Sequence, residues 1–208
     1  VNSRQSALIC GPYGWGEFAP FLEYGAQESA AWLACALEAA WLPTPKPVRT
    51  RIPLNATLPA VPAERVPEVL AKYAGDIQEL KIKVAEKGQS LTDDIARVAA
   101  ARDALPNARL KVDANMGYTF AGALDALRKL CEYGIIYAEQ PVASIEDMAA
   151  LRFAIAKERL PARIAADESI RKAEDPLKVA RANAADLMVI KAAPVSYTHL
   201  TLPTSDLV

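Results

Sequence analysis

From about residue 50 onward, short runs of apolar residues alternate with longer stretches in which apolar residues recur every three or four positions. The short runs are typical of buried strands, whereas the longer spacing is typical of helices that bury one face. The strands repeat at intervals of roughly 24–30 residues, which leaves room for a helical crossover between parallel strands. The predicted strands are Glu79–Val84, Arg109–Ala114, Ile135–Ala138, Arg163–Ala166 and Leu187–Ile190, with Arg51–Thr57 as a possible first strand.

Residues that favour helix ends support this division. Ser90 and Ser144 each stand three residues before an Asp, as in an N-terminal capping box. Asp175–Pro176 fits the start of another helix, and Gly134 fits a C-terminal cap. The sequence therefore places helix boundaries between the predicted strands.

The alternation predicts an α/β fold, an incomplete (β/α) TIM-type barrel of about six units over residues 49–194. An open, doubly wound sheet is the alternative. A glycine-rich GxGxxG turn after a strand is typical of such a sheet, and this chain has no GxGxxG motif. The barrel is therefore favoured.

Residues 1–48 differ from the rest and are predicted to form part of a small α+β capping domain. They contain closely spaced glycines, several aromatic residues and an alanine-rich helix at roughly residues 27–41. Prolines 43, 45 and 47 end that helix and form a stiff connector. Residues 195–208 break the pattern, and we expect them to be a non-native tail on a fragment of a longer protein.

Composition narrows the functional classes. The chain has 208 residues, 52% of them apolar, and a net charge of −1, so it can bury a sizeable core and is not intrinsically disordered. The near-neutral charge argues against a nucleic-acid or polybasic membrane surface. Cys10, Cys35 and Cys131 are expected to be buried, reduced thiols of a cytoplasmic protein. No feature of the sequence indicates an oligomeric state.

One ionisable residue stands at the C-terminal end of each of five successive predicted strands. In chain order these residues are Lys83, Asp113, Glu139, Asp167 and Lys191. A single such residue is usually a solvated loop residue or a helix cap, but five in order at this spacing are hard to reach by chance. The C-terminal ends of barrel strands meet at one mouth, where active sites lie.

The three acids would repel one another in a partly buried mouth unless a cation compensated their charge. Oxygen ligands without His or Cys favour Mg²⁺ over Zn²⁺, so the sequence predicts a magnesium site at Asp113, Glu139 and Asp167. Lys83 shares a strand face with Lys81. A nearby metal and a neighbouring ammonium both disfavour a charged lysine, so Lys83 is the candidate general base.

The segments that carry these residues are KIKV, VDAN, AEQP, ADES and VIK. In this order and spacing they resemble the enolase superfamily, in the branch that shares the muconate-lactonizing barrel. Within that superfamily, the segments GWGEF, PFLEY, RIPLNATLPA and ADESIR are most similar to the o-succinylbenzoate synthase family of the actinobacterial type. The resemblance runs from about residue 8 to residue 194.

The resemblance implies a magnesium-dependent lyase of menaquinone biosynthesis that acts on a small-molecule carboxylate. Asp113, Glu139 and Asp167 resemble the family's Mg²⁺ ligands. Lys83 resembles the base that removes the proton next to the substrate carboxylate and returns it to the leaving hydroxyl, in a syn dehydration through an enediolate. Lys191 resembles the lysine on the opposite substrate face. The supporting residues implied are Lys81, which would tune Lys83, and Asn115, Glu168 and Ser169.

Other functions stay open at this point. An N-acylamino-acid racemase or a cycloisomerase of the same superfamily would use the same acids, with Lys83 and Lys191 as bases in a racemase. A binding module or an inactive barrel fragment would need no base. The family's barrel continues for two strands past the last lysine, and an open barrel exposes strand edges. We therefore expect these 208 residues alone to fold poorly and be inactive, and the complete gene product to be active.

Overall fold

The computed structural model describes residues 5–171, 177–191 and 193. They fall into two compact units, one holding the described residues up to Ile52 and from Ile190 on, the other Pro53–Val189. The predicted tail at residues 195–208 and the predicted helix start at Asp175–Pro176 lie outside the described residues.

The first unit contains a two-stranded hairpin and one long helix. Strand β1 (Ala7–Gly11) pairs antiparallel with β2 (Gly14–Phe18). Helix α1 (Ala26–Trp41) confirms the alanine-rich helix expected from the sequence, and its buried Ala36 and Ala40 face glycines of the hairpin. A Cβ atom on Gly11 or Gly16 would collide with the carbonyl groups of Ala40 and Ala36, respectively. Glycine at these positions therefore allows helix and hairpin to pack in direct backbone contact.

The second unit contains a six-stranded sheet in which all strands are parallel. The strand order follows the chain order without reversal, as in a barrel and unlike a doubly wound sheet. This confirms the predicted α/β class. The strands are β3 (Ala56–Leu58), β4 (Glu79–Lys83), β5 (Arg109–Asp113), β6 (Ile135–Glu139), β7 (Arg163–Ala166) and β8 (Leu187–Met188).

Helices separate the successive strands of this sheet. Two short 3₁₀ turns, Ala63–Arg65 and Cys131–Tyr133, extend the helical segments. The α-helices are α2 (Val66–Leu70), α3 (Leu91–Ala104), α4 (Phe120–Leu130), α5 (Ile145–Glu158), α6 (Glu168–Arg171) and α7 (Leu177–Arg181).

The predicted helix caps are confirmed at the residues that the structure describes. Ser90 and Asp93 form a reciprocal capping box at the start of α3. Ser144 accepts a hydrogen bond from the backbone N–H of Asp147 at the start of α5. Gly134 ends the 3₁₀ turn after α4 with φ 69°, in the left-handed region that favours glycine. Local sequence therefore fixes where these helices begin and end.

Alternate residues of β4 divide between a hydrophobic core and the polar face of the sheet. Leu80 and Ile82 are fully buried and belong to the core that includes Val98 of α3. Because side chains alternate along a strand, Lys81 and Lys83 lie on the opposite face. The same division in β5 places Leu110 and Val112 in the core and leaves Lys111 and Asp113 on the polar face. This face carries the candidate chemistry.

The cysteines differ in part from the expectation. Cys35 and Cys131 are half-buried, and burial raises the pKa of both thiols. Cys10 is exposed, so the expectation of a buried thiol is wrong there. Its partner position on β2 is Trp15, which is also exposed, because both lie on the hairpin face opposite the glycines that meet α1. Among the described residues, no helix has the length and apolar character needed to cross a membrane.

The close approach of hairpin and helix can be tested with one substitution. In the complete protein, we expect Gly16→Ser to lower the free energy of unfolding by about 1–3 kcal/mol, because the added side chain forces β2 away from Ala36. Gly25→Ser is the matched control, since a Cβ atom on Gly25 would meet open space and this residue is the N-cap of α1, where Ser is favoured. Chemical denaturation measures both, and equal stability of the two variants would contradict the packing argument.

Candidate active site

Three predicted site residues lie side by side on neighbouring strands. Lys83 of β4 is paired in register with Asp113 of β5, and Asp113 is paired with Glu139 of β6. Glu139 is paired with Ala165 of β7, so Asp167 lies two residues further along at the end of the next strand. The parallel sheet therefore brings Lys83 and the three acids to one edge, at the C-terminal ends of the strands.

Two lysines lie directly against the acids. Nζ of Lys81 is 3.1 Å from Oδ2 of Asp113 and 3.1 Å from Oε1 of Glu139. Nζ of Lys83 is 2.6 Å from Oδ2 of Asp113. Asp113 and Glu139 are each only 1% exposed, and Asp167 is 3% exposed. The C-terminal end of the sheet therefore contains buried negative charge that the two lysine side chains partly compensate.

Burial and neighbouring charges have opposing effects on the pKa values of these groups. Burial raises the pKa of Asp113, but the hydrogen bond from Lys83 and the charges of both lysines outweigh it, and the net pKa is lowered. Burial and the charge of Asp113 raise the pKa of Glu139, Lys81 opposes this, and Asp167 adds further repulsion, so the net pKa is raised. Burial lowers the pKa of Lys81, but the two carboxylates outweigh it and the net pKa is raised.

Asn115 connects the candidate base to a fourth acid. Its side-chain oxygen accepts a hydrogen bond of 2.6 Å from Nζ of Lys83, and its Nδ2 donates a hydrogen bond of 3.0 Å to Oε1 of Glu168. The backbone N–H of Asn115 also donates to Oδ1 of Asp113. Asn115 has φ 44°, a conformation that non-glycine residues seldom adopt and that recurs at functional sites. The predicted supporting residues Asn115 and Glu168 thus lie beside the site.

Gln140 is a polar residue of this site that the sequence argument missed. It is fully buried, and its Oε1 accepts hydrogen bonds from the backbone N–H groups of Asp167 (3.0 Å) and Ser169 (3.1 Å). Its Nε2 donates to Oγ of Ser169 at 2.7 Å and to the carbonyl of Val142 at 3.0 Å. Gln140 therefore fixes the turn that presents Asp167. The sequence feature that could have identified Gln140 is its position directly after Glu139 in the segment AEQP.

Lys191 follows strand β8 by three residues and is half-buried. It belongs to the compact unit that also contains residues up to Ile52, whereas the acids and the other lysines belong to Pro53–Val189. Its role toward a substrate stays a prediction.

The acids suit a hard divalent cation. Among the described residues, no three acidic, thiol or imidazole side chains are already grouped so that they could hold a metal ion, and the ammonium groups of Lys81 and Lys83 lie against the acids instead. The negative charges of Asp113 and Asp167 nevertheless both raise the pKa of Glu139. Buried carboxylate oxygens under mutual repulsion are a donor set that fits Mg²⁺. The magnesium site itself stays a prediction.

The fold and the site place the chain in a recognisable class. A parallel sheet in chain order, with acids and a lysine at the C-terminal strand ends, is typical of (β/α)-barrel proteins with an active site at the mouth. Residues 63–196 match the family described as Enolase C-terminal domain-like, and residues 1–40 match Enolase N-terminal domain-like. The chain belongs to the enolase superfamily.

Three curated relatives of the chain carry the same enzyme name. Over 94% of its length the chain is 55% identical to an o-succinylbenzoate synthase of Mycolicibacterium smegmatis. It is 50% identical over the same share to o-succinylbenzoate synthases of Mycobacterium tuberculosis and Mycobacterium leprae. The chain covers 59%, 58% and 56% of these three relatives, so it spans little more than half of their length.

Solved structures agree with the fold. A mandelate racemase/muconate lactonizing family protein from Azoarcus sp. EbN1 is 32% identical with a TM-score of 0.59, over 70% of this chain and 38% of that one. A mandelate racemase/muconate lactonizing enzyme from Roseiflexus sp. covers 95% of this chain and 75% of its own, with a TM-score of 0.62 and 23% identity. An enolase from Bradyrhizobium, solved with magnesium and mandelic acid, has a TM-score of 0.56 at 23% identity, over 66% of this chain and 38% of its own.

The role of Gln140 leads to a stability prediction. In the complete protein, we expect Gln140→Met to lower the free energy of unfolding by about 2–4 kcal/mol, because two backbone N–H groups lose their buried acceptor. Gln78→Met is the control, since Gln78 is an exposed glutamine of the same unit. Denaturant titration measures both variants. Equal loss in the two would show that the Gln140 amide does not hold this turn.

Proposed function

We propose that the complete protein dehydrates 2-succinyl-6-hydroxy-2,4-cyclohexadiene-1-carboxylate to o-succinylbenzoate, the reaction of an o-succinylbenzoate synthase. The observation that carries the proton transfer in this proposal is the register of Lys83 with buried Asp113 and Glu139 at the strand ends. The identity of 55% to a relative of that name, over 94% of this chain, supports the choice of reaction. The proposal concerns the complete protein because the chain covers 59% of that relative.

Lys83 performs both proton transfers in the proposed reaction. As a neutral amine, its Nζ takes the proton from the ring carbon next to the substrate carboxylate, and the electron pair of that C–H bond moves into the carboxylate. The same Nζ then gives the proton to the neighbouring hydroxyl, the C–O bond breaks, and water leaves on the same face. The electron pair forms the ring double bond that makes the product aromatic, so the atoms and electrons balance without a redox partner.

The surrounding residues stabilise charge and hold Lys83 in place. Asp113, Glu139 and Asp167 would hold Mg²⁺, which when bound supplies positive charge beside the substrate carboxylate as negative charge develops there. Asn115 and Asp113 accept hydrogen bonds from Nζ of Lys83 and thereby orient it. Lys81 compensates the charge of Asp113 and Glu139. Lys191 would stabilise the ring from the opposite face.

The alternative reactions receive less support. A racemase or cycloisomerase shares the first proton transfer, so the acids and Lys83 alone do not distinguish these enzymes from a dehydratase. The curated relatives described above carry the name of the dehydratase. A binding module would need no base, whereas here Lys83 lies in register with two buried acids. Dehydration is therefore the function that the observations favour.

The base assignment predicts a large loss of rate on substitution. In the complete protein, we expect Lys83→Ala to lower the rate of dehydration by about 10²–10⁴-fold, because the proton then has no positioned acceptor. Binding of Mg²⁺ should be largely unaffected. Lys87→Ala is the control, since Lys87 is an exposed lysine four residues away, and we expect it to retain the wild-type rate. Product absorbance measures turnover, and calorimetry measures Mg²⁺ binding.

Two results would count against this function in different ways. A Lys83→Ala variant with a near-normal rate would show that Lys83 is not the base. A wild-type protein that exchanges the α-proton of an N-acylamino acid but does not dehydrate the cyclohexadiene substrate would show that the reaction is a racemisation.

The proposed metal ligands predict that Mg²⁺ stabilises the protein. At a Mg²⁺ concentration of about 100 times Kd, binding to the folded state alone adds about 2.7 kcal/mol to the free energy of unfolding. We expect Asp113→Asn to remove most of this gain, because a buried carboxylate ligand is lost. Asp103→Asn, at an exposed position of α3, is the control. Denaturation with and without Mg²⁺ measures the difference, and an undiminished gain in Asp113→Asn excludes Asp113 as a ligand.

A further inference from the structure

Helix α3 carries a buried ion pair that the proposed chemistry does not use. Nη1 of Arg97 lies 2.9 Å from Oδ1 of Asp94, and the two residues are 0% and 1% exposed. Burying such a pair has a large desolvation cost, and apolar residues of similar volume often give equal or greater stability. The pair therefore calls for an explanation beyond stability, and its hydrogen bonds supply one.

Both members of the pair hold the backbone that follows strand β4. Nη1 of Arg97 donates a hydrogen bond of 2.9 Å to the carbonyl oxygen of Lys83. Oδ2 of Asp94 accepts a hydrogen bond of 2.9 Å from the backbone N–H of Ala85. The carbonyl of Lys83 and the N–H of Ala85 flank Val84. One ion pair therefore forms hydrogen bonds to the backbone on both sides of that residue.

The same pair reaches the two neighbouring loops. Nε of Arg97 donates a hydrogen bond of 2.6 Å to the carbonyl of Val61, which precedes α2. The hydroxyl of Tyr118, which follows β5, donates a hydrogen bond of 2.7 Å to Oδ2 of Asp94. Arg97 and Asp94 thus tie together the loops that follow β3, β4 and β5, all on the side of the sheet where the acids lie.

The backbone that the pair holds is strained. Ala85 has φ 57°, in the left-handed region that a residue with a Cβ atom seldom occupies. The loop after β5 packs against it, because a Cβ atom on Gly117 would lie 2.6 Å from the carbonyl oxygen of Ala85. Such a conformation persists only when surrounding contacts enforce it. The bond from Ala85 to Asp94 is one of those contacts.

We propose that Arg97 and Asp94 are positioning residues that set the direction of the Lys83 side chain toward the substrate. This inference rests on the proposed function, because it assigns the pair a role in the proton transfer of Lys83. A shift of the Lys83 backbone by a fraction of an ångström moves Nζ relative to the reacting carbon. Small misplacements of a catalytic group lower the rate strongly while leaving substrate binding nearly intact.

Arg102 provides a matched control on the same helix. It is also an arginine of α3 that donates hydrogen bonds to backbone carbonyls, at Tyr133, Leu105, Pro106, Ala108 and Gly134. Those carbonyls precede β5 and β6, whereas Arg97 holds loops that follow β3 and β4. An Arg102→Met variant therefore loses comparable backbone contacts at the opposite end of the strands.

The test compares Arg97→Met with Arg102→Met in the complete protein. For Arg97→Met we expect kcat to fall by about 10- to 100-fold with KM nearly unchanged. We also expect a larger primary isotope effect on substrate deuterated at the carbon next to the carboxylate, because proton transfer becomes more rate-limiting. A simple loss of folded protein lowers the rate without changing the isotope effect. Arg97→Lys, which retains a donor, should recover part of the rate.

Hydrogen exchange supplies a readout that needs no turnover. The amide of Ala85 should exchange at least about tenfold faster in Arg97→Met than in Arg102→Met, because Asp94, which accepts the hydrogen bond from that amide, loses the arginine that holds it in place. Equal exchange in the two variants, or an unchanged isotope effect in Arg97→Met, overturns the inference. If the wild-type protein does not dehydrate the cyclohexadiene substrate, the proposed function fails, and exchange at Ala85 still decides whether the pair positions the strand end.

If Arg97→Met does not fold, Tyr118→Phe provides the milder test. It removes only the hydrogen bond from Tyr118 to Asp94. We expect a smaller rise in exchange at Ala85 together with a smaller fall in kcat. A Tyr118→Phe variant that matches the wild type in both measurements overturns the inference.

Discussion

Buried negative charge at the ends of neighbouring strands is the constraint on which the rest of the site depends. Two carboxylates that are almost wholly removed from solvent cost several kcal/mol each unless positive charge lies close to them. Strand β4 supplies that charge twice, because Lys81 and Lys83 lie two residues apart on one face. Lys81 bridges Asp113 and Glu139, whereas Lys83 pairs with Asp113 and also donates a hydrogen bond to Asn115. The side chain of Lys83 is 30% exposed, against 22% for Lys81.

Charge alone does not determine where the side chains at the strand ends point, so the backbone at these ends must also be held in place. Two of these ends are fixed by side chains from other segments that hydrogen-bond to backbone groups. Gln140 holds the turn of Asp167, and the Arg97–Asp94 pair holds the turn after Lys83. Ala85, in the turn that the Arg97–Asp94 pair holds, lies at positive φ. Strain at Ala85 is therefore compensated by polar contacts of Arg97 and Asp94, which belong to the scaffold rather than to the reacting groups.

The sequence predicted the features that depend on local pattern. The positions of strands β4 to β8 and the Ser90 and Ser144 caps follow from periodicity and spacing along the chain. The contacts of Gln140 and Arg97 do not, because they join residues such as Arg97 and Val61 that are 36 positions apart. Arg97 also contradicts the usual pattern, since a charged residue on a helix predicts an exposed face, yet here it is fully buried. Only the packing of three loops around α3 reveals its partners.

The pairing of β5 with β6 shows how one residue of register determines the site. Leu110 pairs with Ile135, whereas Val112 pairs with Ala138, so β6 contains one extra residue between these pairs. Without that residue, Asp113 would stand opposite Ala138, and Glu139 would point to the other face of the sheet, because side chains alternate along a strand. The extra residue places Glu139 opposite Asp113 on the polar face. The meeting of these two acids, and with it the bridging position of Lys81, thus depends on a local irregularity that strand periodicity alone cannot predict.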